Sequence, residues 1–218
     1  MDDELGPELP AGALARRDVL PLRPDGVVLA DDRVRLRPAT TADAPELHAI
    51  SNGDPVTRLG RSVGSYDPDA LVWRYMPVGP FPTVADFASF LEALTSRPDT
   101  RTFVVEDAAT GELLGSTSLV ANVPAHLKVE IGAVWYSPAV QGAGVNVGVC
   151  HLLLAHAFGL GYQRVEWKCH AANTRSRAAA LRIGMRFEGV QDAHSVQKGR
   201  RRDTAWFRVL REEWDATG

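Results

Sequence analysis

Two glycines at the start of a predicted helix are the clearest chemical feature of the sequence. Gly142 and Gly144 stand between a predicted strand that ends at Tyr136 and an apolar helix predicted over 145–160. Glycine lets the backbone approach a ligand closely and adopt positive φ angles. Amides at a helix start have no partner within the helix, and the helix dipole adds about half a positive charge there. The spacing therefore predicts a phosphate-binding loop that works through main-chain N–H groups.

The same glycines also fit a plain strand-to-helix turn, and two other phosphate loops must be compared. A Walker loop requires Gly-Lys-Ser/Thr, which is absent from the sequence. A Rossmann fingerprint is a closer rival, because Gly142, Gly144 and Gly148 follow a strand. That fold needs several further βαβ units, whereas the residues after the next predicted strand, 164–170, suggest one helix and a hairpin. A Rossmann domain is therefore disfavoured.

The rest of the sequence predicts one mixed α/β domain around this loop. Strands predicted over 101–106, 113–121 and 127–136 have the spacing of an antiparallel meander, and a strand–loop–helix–strand unit follows. The remaining predicted elements are a strand at 33–37, helices from 41, at 83–95 and at 174–183, loops with helical turns over 52–82, and strands at 186–196 and 204–210. Residues 1–30, rich in proline, glycine and charge, are expected to form an extended or poorly ordered arm, which assigns 31–218 to the domain.

Composition and charge disfavour several classes of protein. Apolar residues make up 45% and charged residues 23% of the 218 residues, as in ordinary globular proteins. The net charge of -3 disfavours a nucleic-acid binder, and no apolar run approaches the roughly 20 residues of a membrane span. Cys150 and Cys169 have neither disulfide-framework nor zinc spacing, so no metal site is expected. The acidic start at residues 1–4 is unlike a signal peptide, and a reducing cytoplasm is the expected location.

One basic segment lies near the end of the chain, at residues 198–202, with the sequence Lys-Gly-Arg-Arg-Arg. A solvated turn is the ordinary interpretation of such a run. A docking site for an anionic group is the alternative, and the sequence leaves both open.

Short motifs follow one another along the chain in a characteristic order. The loop reads Gln141-Gly142-Ala143-Gly144-Val145-Asn146, and the other stretches are 34–38, 129–132, 172–180 and 181–189, with tail pieces at 166–169, 199–206 and 213–214. Together they resemble the GNAT superfamily of acyl-CoA-dependent N-acyltransferases, in its RimJ/RimL-like branch. The family's central signature is Arg/Gln-x-x-Gly-x-Gly/Ala. The resemblance covers roughly residues 30 to 215.

This resemblance implies a fold and an activity. The fold is α/β (α+β): a mixed, mostly antiparallel twisted sheet of about seven strands, with flanking helices and a splayed central strand pair. The activity is transfer of an acetyl group from acetyl-CoA, as co-substrate and without a metal, to a primary amine by direct attack in a ternary complex. The acceptor would be a protein N-terminus or a small-molecule amine. Relatives often dimerise through a late strand, which leaves a homodimer open.

The resemblance also implies which residues bind the co-substrate. Strand residues would offer backbone groups to the pantetheine amides, the loop amides would hold the pyrophosphate, and the start of the last predicted helix would contact the pantetheine arm and the sulfur. These implied residues are Val134, Trp135, Gln141, Gly142, Ala143, Gly144, Val145, Asn146, Asn173 and Ser176.

Two residues are candidates for the chemistry. Glu130, in the middle of a predicted strand, is the candidate base, acting directly or through water, although a salt-bridged glutamate on a sheet face is equally consistent. Many relatives use a tyrosine in the last helix as general acid, and none occurs here, so Ser176 or water must replace it. Ser176 also fits an ordinary first-turn residue. His170 is a weaker acid/base candidate.

The acceptor pocket is expected from Trp73, Tyr75 and Phe81, which fit a hydrophobic core equally well. Two departures from the family pattern affect co-substrate binding. Asn146 replaces the last Gly/Ala of the loop, and Gly148 stands where relatives usually carry glutamate. These departures and the missing tyrosine also fit an alternative function, a catalytically weak acyl-CoA-binding or regulatory module.

Overall fold

The computed structural model describes residues 6, 8–24 and 26–216. Parts of the predicted arm, at 1–5, 7 and 25, and the last two residues of the predicted domain, 217 and 218, lie outside the described residues. None of the described helices is both long enough and apolar enough to cross a bilayer.

The helices are α1 (Ala11–Leu14), α2 (Ala44–Ala49), α3 (Val84–Thr95), α4 (Val145–Leu160), α5 (Thr174–Arg182) and α6 (Arg211–Asp215). The strands are β1 (Leu29–Ala30), β2 (Val34–Pro38), β3 (Val56–Arg58), β4 (Arg61–Val63), β5 (Arg101–Asp107), β6 (Leu113–Val123), β7 (Lys128–Tyr136), β8 (Arg164–His170), β9 (Arg186–Gln197) and β10 (Arg200–Leu210). A π-helical turn covers Asp69–Trp73.

Eight strands form one sheet in the order β1-β2-β5-β6-β7-β8-β10-β9, and β3 with β4 makes a separate hairpin. Every neighbouring pair in the large sheet is antiparallel except β7 and β8, which are parallel. The predicted fold class is confirmed. The eighth strand, Leu29–Ala30, lies in the predicted arm, and its two residues are too few for a periodic pattern.

The parallel pair β7–β8 separates after three residues. Lys128, Val129 and Glu130 pair with the first three residues of β8, and no pairing follows. Further along β7, two residues oppose one residue of β6, and Ala133 there has a φ of 50°. A bulge of this kind bends its strand and increases the local twist. The bend accompanies the opening between β7 and β8, which is the predicted splay.

Two apolar cores lie on opposite faces of the sheet. α4 is apolar around its circumference and buries Val149, Leu153 and Phe158 against one face. α2 and α3 cover the other face, where Leu91 and Trp73 are 1% exposed. Gly144 caps the start of α4 and Gly161 caps its end, both with positive φ, so the predicted helix over 145–160 is confirmed.

Residues 11–18, inside the predicted arm, are helical rather than extended, since a 3-10 turn at Ala15–Asp18 continues α1. The Arg16 Nε donates to the carbonyl of Leu160 at 2.8 Å, which fastens this stretch to the end of α4. Leu20 is buried in the α4-side core. Contacts made by distant residues therefore order this stretch.

We expect Leu91→Ala to lower the free energy of unfolding by about 2–5 kcal/mol, because it removes buried methyl groups from the α3-side core. Glu92→Ala, the matched control on the exposed face of α3, should change it by less than about 0.5 kcal/mol. Urea unfolding followed by tryptophan fluorescence measures both. Equal destabilisation by the two variants would contradict the assigned core.

Candidate functional site

A cavity of about 790 Å³ opens where β7 and β8 separate. Its walls are the end of β7, the glycine loop with the first turn of α4, the start of α5, and residues 69–76, which we name the wall segment. Of the predicted co-substrate residues, all except Ala143 line this cavity. Residues from four distant parts of the chain are thus brought together.

The glycine loop has free main-chain donors. Gly142 and Gly144 have φ values of 78° and 82°, a region that glycine adopts without strain. The amides of Gln141 and Ala143 donate to carbonyls within the preceding turn, and the amide of Val147 donates to Gly144 O. Among the described residues, no acceptor is found for the amides of residues 142 and 144–146. These donors, at the N-terminus of a long helix, can bind an anion.

The side chain of Asn146 is held by a tyrosine. Tyr136 Oη donates to Asn146 Oδ1 at 3.1 Å, and Cys150 Sγ lies 3.6 Å from the same oxygen. Burial raises the pKa of Tyr136 well above its ordinary value, so the hydroxyl remains a donor. The extra side chain therefore has a partner away from the main-chain amides.

The second departure from the family pattern, glycine at position 148, has a local electrostatic reason. A Cβ at Gly148 would lie 3.4 Å from Oδ2 of Asp31. The other carboxylate oxygen of Asp31 accepts the amides of Arg33 and Val34 at 2.8 Å. A glutamate at 148 would place a second carboxylate beside a fixed one, which is unfavourable.

Gln141 braces the cavity wall through its side chain. Its Nε2 donates to Leu71 O at 3.0 Å and to Tyr136 O at 3.2 Å, while Arg175 Nη1 donates to its Oε1 at 2.9 Å. One side chain thus joins the loop to the wall segment and α5. This is a bracing contact that sequence reasoning did not predict.

Asn173 and Ser176 form a local hydrogen-bonded pair at the start of α5. Asn173 Oδ1 accepts the Ser176 amide at 3.1 Å, so Asn173 caps the helix. Ser176 Oγ accepts the Trp167 indole N–H at 3.1 Å. Burial raises the pKa of the Cys169 thiol, and a hydrogen bond from the Ser176 side chain opposes this shift. Asn173 and Ser176 both line the cavity.

Glu130 lies beside the cavity and does not line it. The residue is 8% exposed. Its carboxylate forms an ion pair with Lys168, whose Nζ lies 2.8 Å from Oε2. Burial raises the pKa of Glu130, and the Lys168 charge opposes this shift. The geometry therefore combines both interpretations made from the sequence: a salt-bridged carboxylate with a raised pKa.

The side chain of Tyr75 lines the cavity, whereas that of Trp73, also in the wall segment, packs with Phe81 in the α3-side core. The rings of Trp73 and Phe81 are 5.1 Å apart in an edge-on arrangement, and Trp73 Nε1 donates to Ser51 O at 2.9 Å. The ring of Tyr75 packs against His170 at 5.2 Å. Among the predicted acceptor residues, Tyr75 is therefore the one placed to contact a ligand.

Several cavity-lining residues were not predicted from the sequence. They are Leu71, Val72, Arg74, Met76, Tyr136, Val140, Val147, Trp167, Thr174, Arg175, Ala178, Ala179 and Arg182. Tyr136 and Trp167 had a recognisable signal, since both are aromatic residues in the two strands predicted to adjoin the site, Tyr136 at the end of β7 and Trp167 in the middle of β8. The wall segment had none, because its place beside the loop depends on packing against the α3-side core.

Comparison with known proteins identifies the family. Residues 33–186 match the acetyltransferase (GNAT) domain. A solved structure of a probable GNAT acetyltransferase from Chromobacterium violaceum has 31% identity and a TM-score of 0.82, with 96% of each chain covered. A GCN5-related N-acetyltransferase from Brucella melitensis has 34% identity and a TM-score of 0.78, over 88% of this chain and 82% of its own. The chain belongs to the GNAT acetyltransferase family.

A curated relative supports the predicted RimJ/RimL-like branch. It is YdaF of Bacillus subtilis, provisionally named a ribosomal N-acetyltransferase, with 31% identity over 106 residues. The alignment covers 48% of this chain and spans 57% of the length of YdaF.

The two cysteines should resist thiol reagents in the folded protein. Both Cys150 and Cys169 are buried, and burial raises the pKa of each thiol, so little thiolate forms. We expect a chromogenic disulfide reagent at mildly alkaline pH to react at least about a hundredfold more slowly with native than with urea-unfolded protein, because reaction requires local opening. The unfolded chain should titrate as two thiols. Rapid modification of one native cysteine would contradict this placement.

Proposed function

We propose that this protein transfers an acetyl group from acetyl-CoA to a primary amine. The observation that carries the proposal is the free main-chain amides of residues 142 and 144–146, which face the cavity formed by the separation of β7 and β8. An anion-binding helix start beside two unpaired strand edges fits a long ligand with a diphosphate at one end and amides along its arm. Acetyl-CoA has this composition.

The cavity offers each part of acetyl-CoA a fitting surface. The amides of residues 142 and 144–146 would hold the diphosphate, with the side chain of Gln141 bracing the loop. Backbone groups near Val134 and Trp135 would take the pantetheine amides, because β7 has no ladder partner on its β8 side at this point. Asn173 and Ser176 would adjoin the sulfur end of the arm. Bound acetyl-CoA supplies an acyl group activated as a thioester.

The residues of the chain would then manage proton transfer. As the amine nitrogen bonds to the acyl carbon, the carbon–sulfur bond breaks, the amine loses a proton and the departing sulfur gains one. Glu130 would take the amine proton through water, because it lies beside the cavity and burial raises its pKa towards that of a useful base. A main-chain amide near Val134 would stabilise the oxyanion. Ser176, which lines the cavity, would turn its hydroxyl hydrogen towards the departing sulfur and donate to it.

A protein N-terminus is the acceptor with the most support among relatives. YdaF carries a ribosomal N-acetyltransferase name. A solved Salmonella typhimurium acetyltransferase, described as modifying the N-terminal serine of ribosomal protein L7/L12, shares the fold at a TM-score of 0.69 and only 18% identity. Small-molecule amines remain the second acceptor class. The Lys168 ion pair at Glu130 instead favours a weakly active acyl-CoA-binding module.

Gly144→Ala should weaken binding of CoA about tenfold, a change of about 1.4 kcal/mol. Alanine is strained at a φ of 82°, so the loop should relax and turn its free amides apart. Gly111→Ala is the matched control, with a φ of 75° in the turn between β5 and β6 and open space around its Cβ. Isothermal titration with CoA measures the affinities. Equal affinities for the two variants would refute the proposed diphosphate site.

Glu130→Gln should lower kcat by about a hundredfold or more, because the amide cannot accept the amine proton. Glu166→Gln is the control, since Glu166 is the register partner of Glu130 and also contacts Lys168. Its kcat should change by less than about threefold. Release of free CoA with an N-terminal peptide and with small amines measures turnover.

Three results of that assay discriminate among the candidates. A selective loss in Glu130→Gln supports the base. Equal losses in both glutamate variants would assign Glu130 a structural role. CoA binding without release from any acceptor would favour the binding module.

A further inference from the structure

The outer end of the β9–β10 hairpin packs against the wall segment. Gln197 Nε2 donates to Met76 O at 3.0 Å. Lys198 Nζ donates to Trp73 O at 2.7 Å and pairs with Asp69 at 3.2 Å. The basic segment at 198–202 therefore begins as a turn docked on the wall segment, part of which lines the cavity.

The cations of this segment differ in their partners. Lys198 pairs with Asp69, and Arg201 pairs with Asp203 at 2.7 Å. Arg202 forms no ion pair with any carboxylate in the described part of the chain, although its Nη1 donates to Gln197 Oε1 at 3.1 Å. Its Nε is buried and has no hydrogen-bond partner there. Arg202 is thus a half-buried cation with unused donors.

Nearby acidic side chains are already paired with other cations. Glu130 pairs with Lys168, and Glu166 contacts Lys128, Arg164 and Lys168. Burial lowers the pKa of Arg202, and the charge of Glu130 opposes this shift without forming an ion pair with Arg202. A half-buried guanidinium left in this state has an electrostatic cost that an added anion would offset.

Contacts connect Arg202 to the cavity. Gln197, which accepts from Arg202, donates to Met76 O at 3.0 Å, and Met76 lines the cavity. The Ala171 amide, next to His170, donates at 2.8 Å to the carbonyl of Asp203, the residue after Arg202. The ring of His170 packs on Tyr75, which lines the cavity. His170 Nδ1 accepts the Ala172 amide at 3.1 Å, so the chain holds this imidazole in place. An imidazole carries no negative charge, so it does not neutralise Arg202.

We propose that Arg202 binds a carboxylate of the acceptor, so that the preferred acceptors are primary amines with a carboxylate close to the amine. This inference rests on the proposed acetyl transfer. A guanidinium presents a planar set of donors that matches a carboxylate, and such charge-assisted pairs are among the stronger hydrogen bonds. Two sources share this chemistry: the α-carboxylate of a free amino acid, and an acidic side chain near the N-terminus of a peptide.

The experiment compares acceptors that differ only in the carboxylate. One arm pairs serine with serinamide, and the other pairs amidated Ser-Asp-Ala and Ser-Asn-Ala peptides. We expect the wild-type kcat/KM to favour the acidic member of at least one pair by about tenfold to a hundredfold, as expected for a hydrogen bond to a charged group. The arm that shows the preference identifies the source of the carboxylate.

Arg202→Gln should abolish this preference, mainly by raising KM for the acidic acceptor. Its KM for acetyl-CoA should stay within about twofold, and any change in kcat should be the same for the acidic and the neutral acceptor, because the Arg202 charge also acts on Glu130. Arg200→Gln, which removes an exposed charge from the same hairpin, should keep the preference. If Arg202→Gln does not fold, Arg202→Lys replaces it and should keep only part of the preference.

The outcomes separate this inference from the function on which it rests. Equal use of acidic and neutral acceptors by the wild type would overturn the role of Arg202 and leave acetyl transfer intact. A preference that survives in Arg202→Gln would also overturn it. Turnover of no acceptor by protein with CoA bound would overturn both proposals.

Discussion

The separation of β7 from β8 is the constraint on which the rest of the structure depends. A parallel ladder that ends after Glu130 leaves the following backbone groups of both strands without partners from each other. Buried backbone groups require hydrogen bonds, so such an opening is stable only where a ligand, water or side chains supply them. The α4 amides open into the same space. The cavity is therefore built mainly from main-chain donors and acceptors, with side chains bracing them.

The two faces of the sheet support this opening in different ways. On one face, α4 and α5 pack an apolar core through residues such as Val149, Leu153 and Ala180. On the other face, ion pairs join the strands near the point of separation, with Lys168 of β8 reaching Glu130 of β7. Buried charges are costly unless paired, so the Lys168 ion pair fixes the position of the carboxylate and opposes the rise in its pKa that burial causes. Arg202 forms none of these ion pairs with the described residues, although its Nη1 donates to Gln197.

Much of the framework follows from local sequence. The helix over 145–160 and the strand over 164–170 have the predicted bounds, because apolar periodicity and flanking glycines are properties of neighbouring residues. The cap at Thr83 and the positive φ angles of Gly142 and Gly144 are local in the same sense. The β3–β4 hairpin lies in a stretch expected to be loops, since its three-residue strands are too short for a recognisable alternation.

The sequence by itself determined the order of strands and helices, the glycine loop before α4, and a resemblance that led to the correct family. Only the tertiary structure decided that Gln141 braces the wall segment, that the Trp73 side chain packs into the α3-side core, and that Tyr136 holds Asn146. It also decided that Glu130 forms an ion pair with Lys168, and that the buried Nε of Arg202 has no hydrogen-bond partner among the described residues. Propensity, periodicity and caps act over a few neighbouring residues, whereas the partners of most of these side chains are tens of residues away in sequence and meet only when the sheet is assembled.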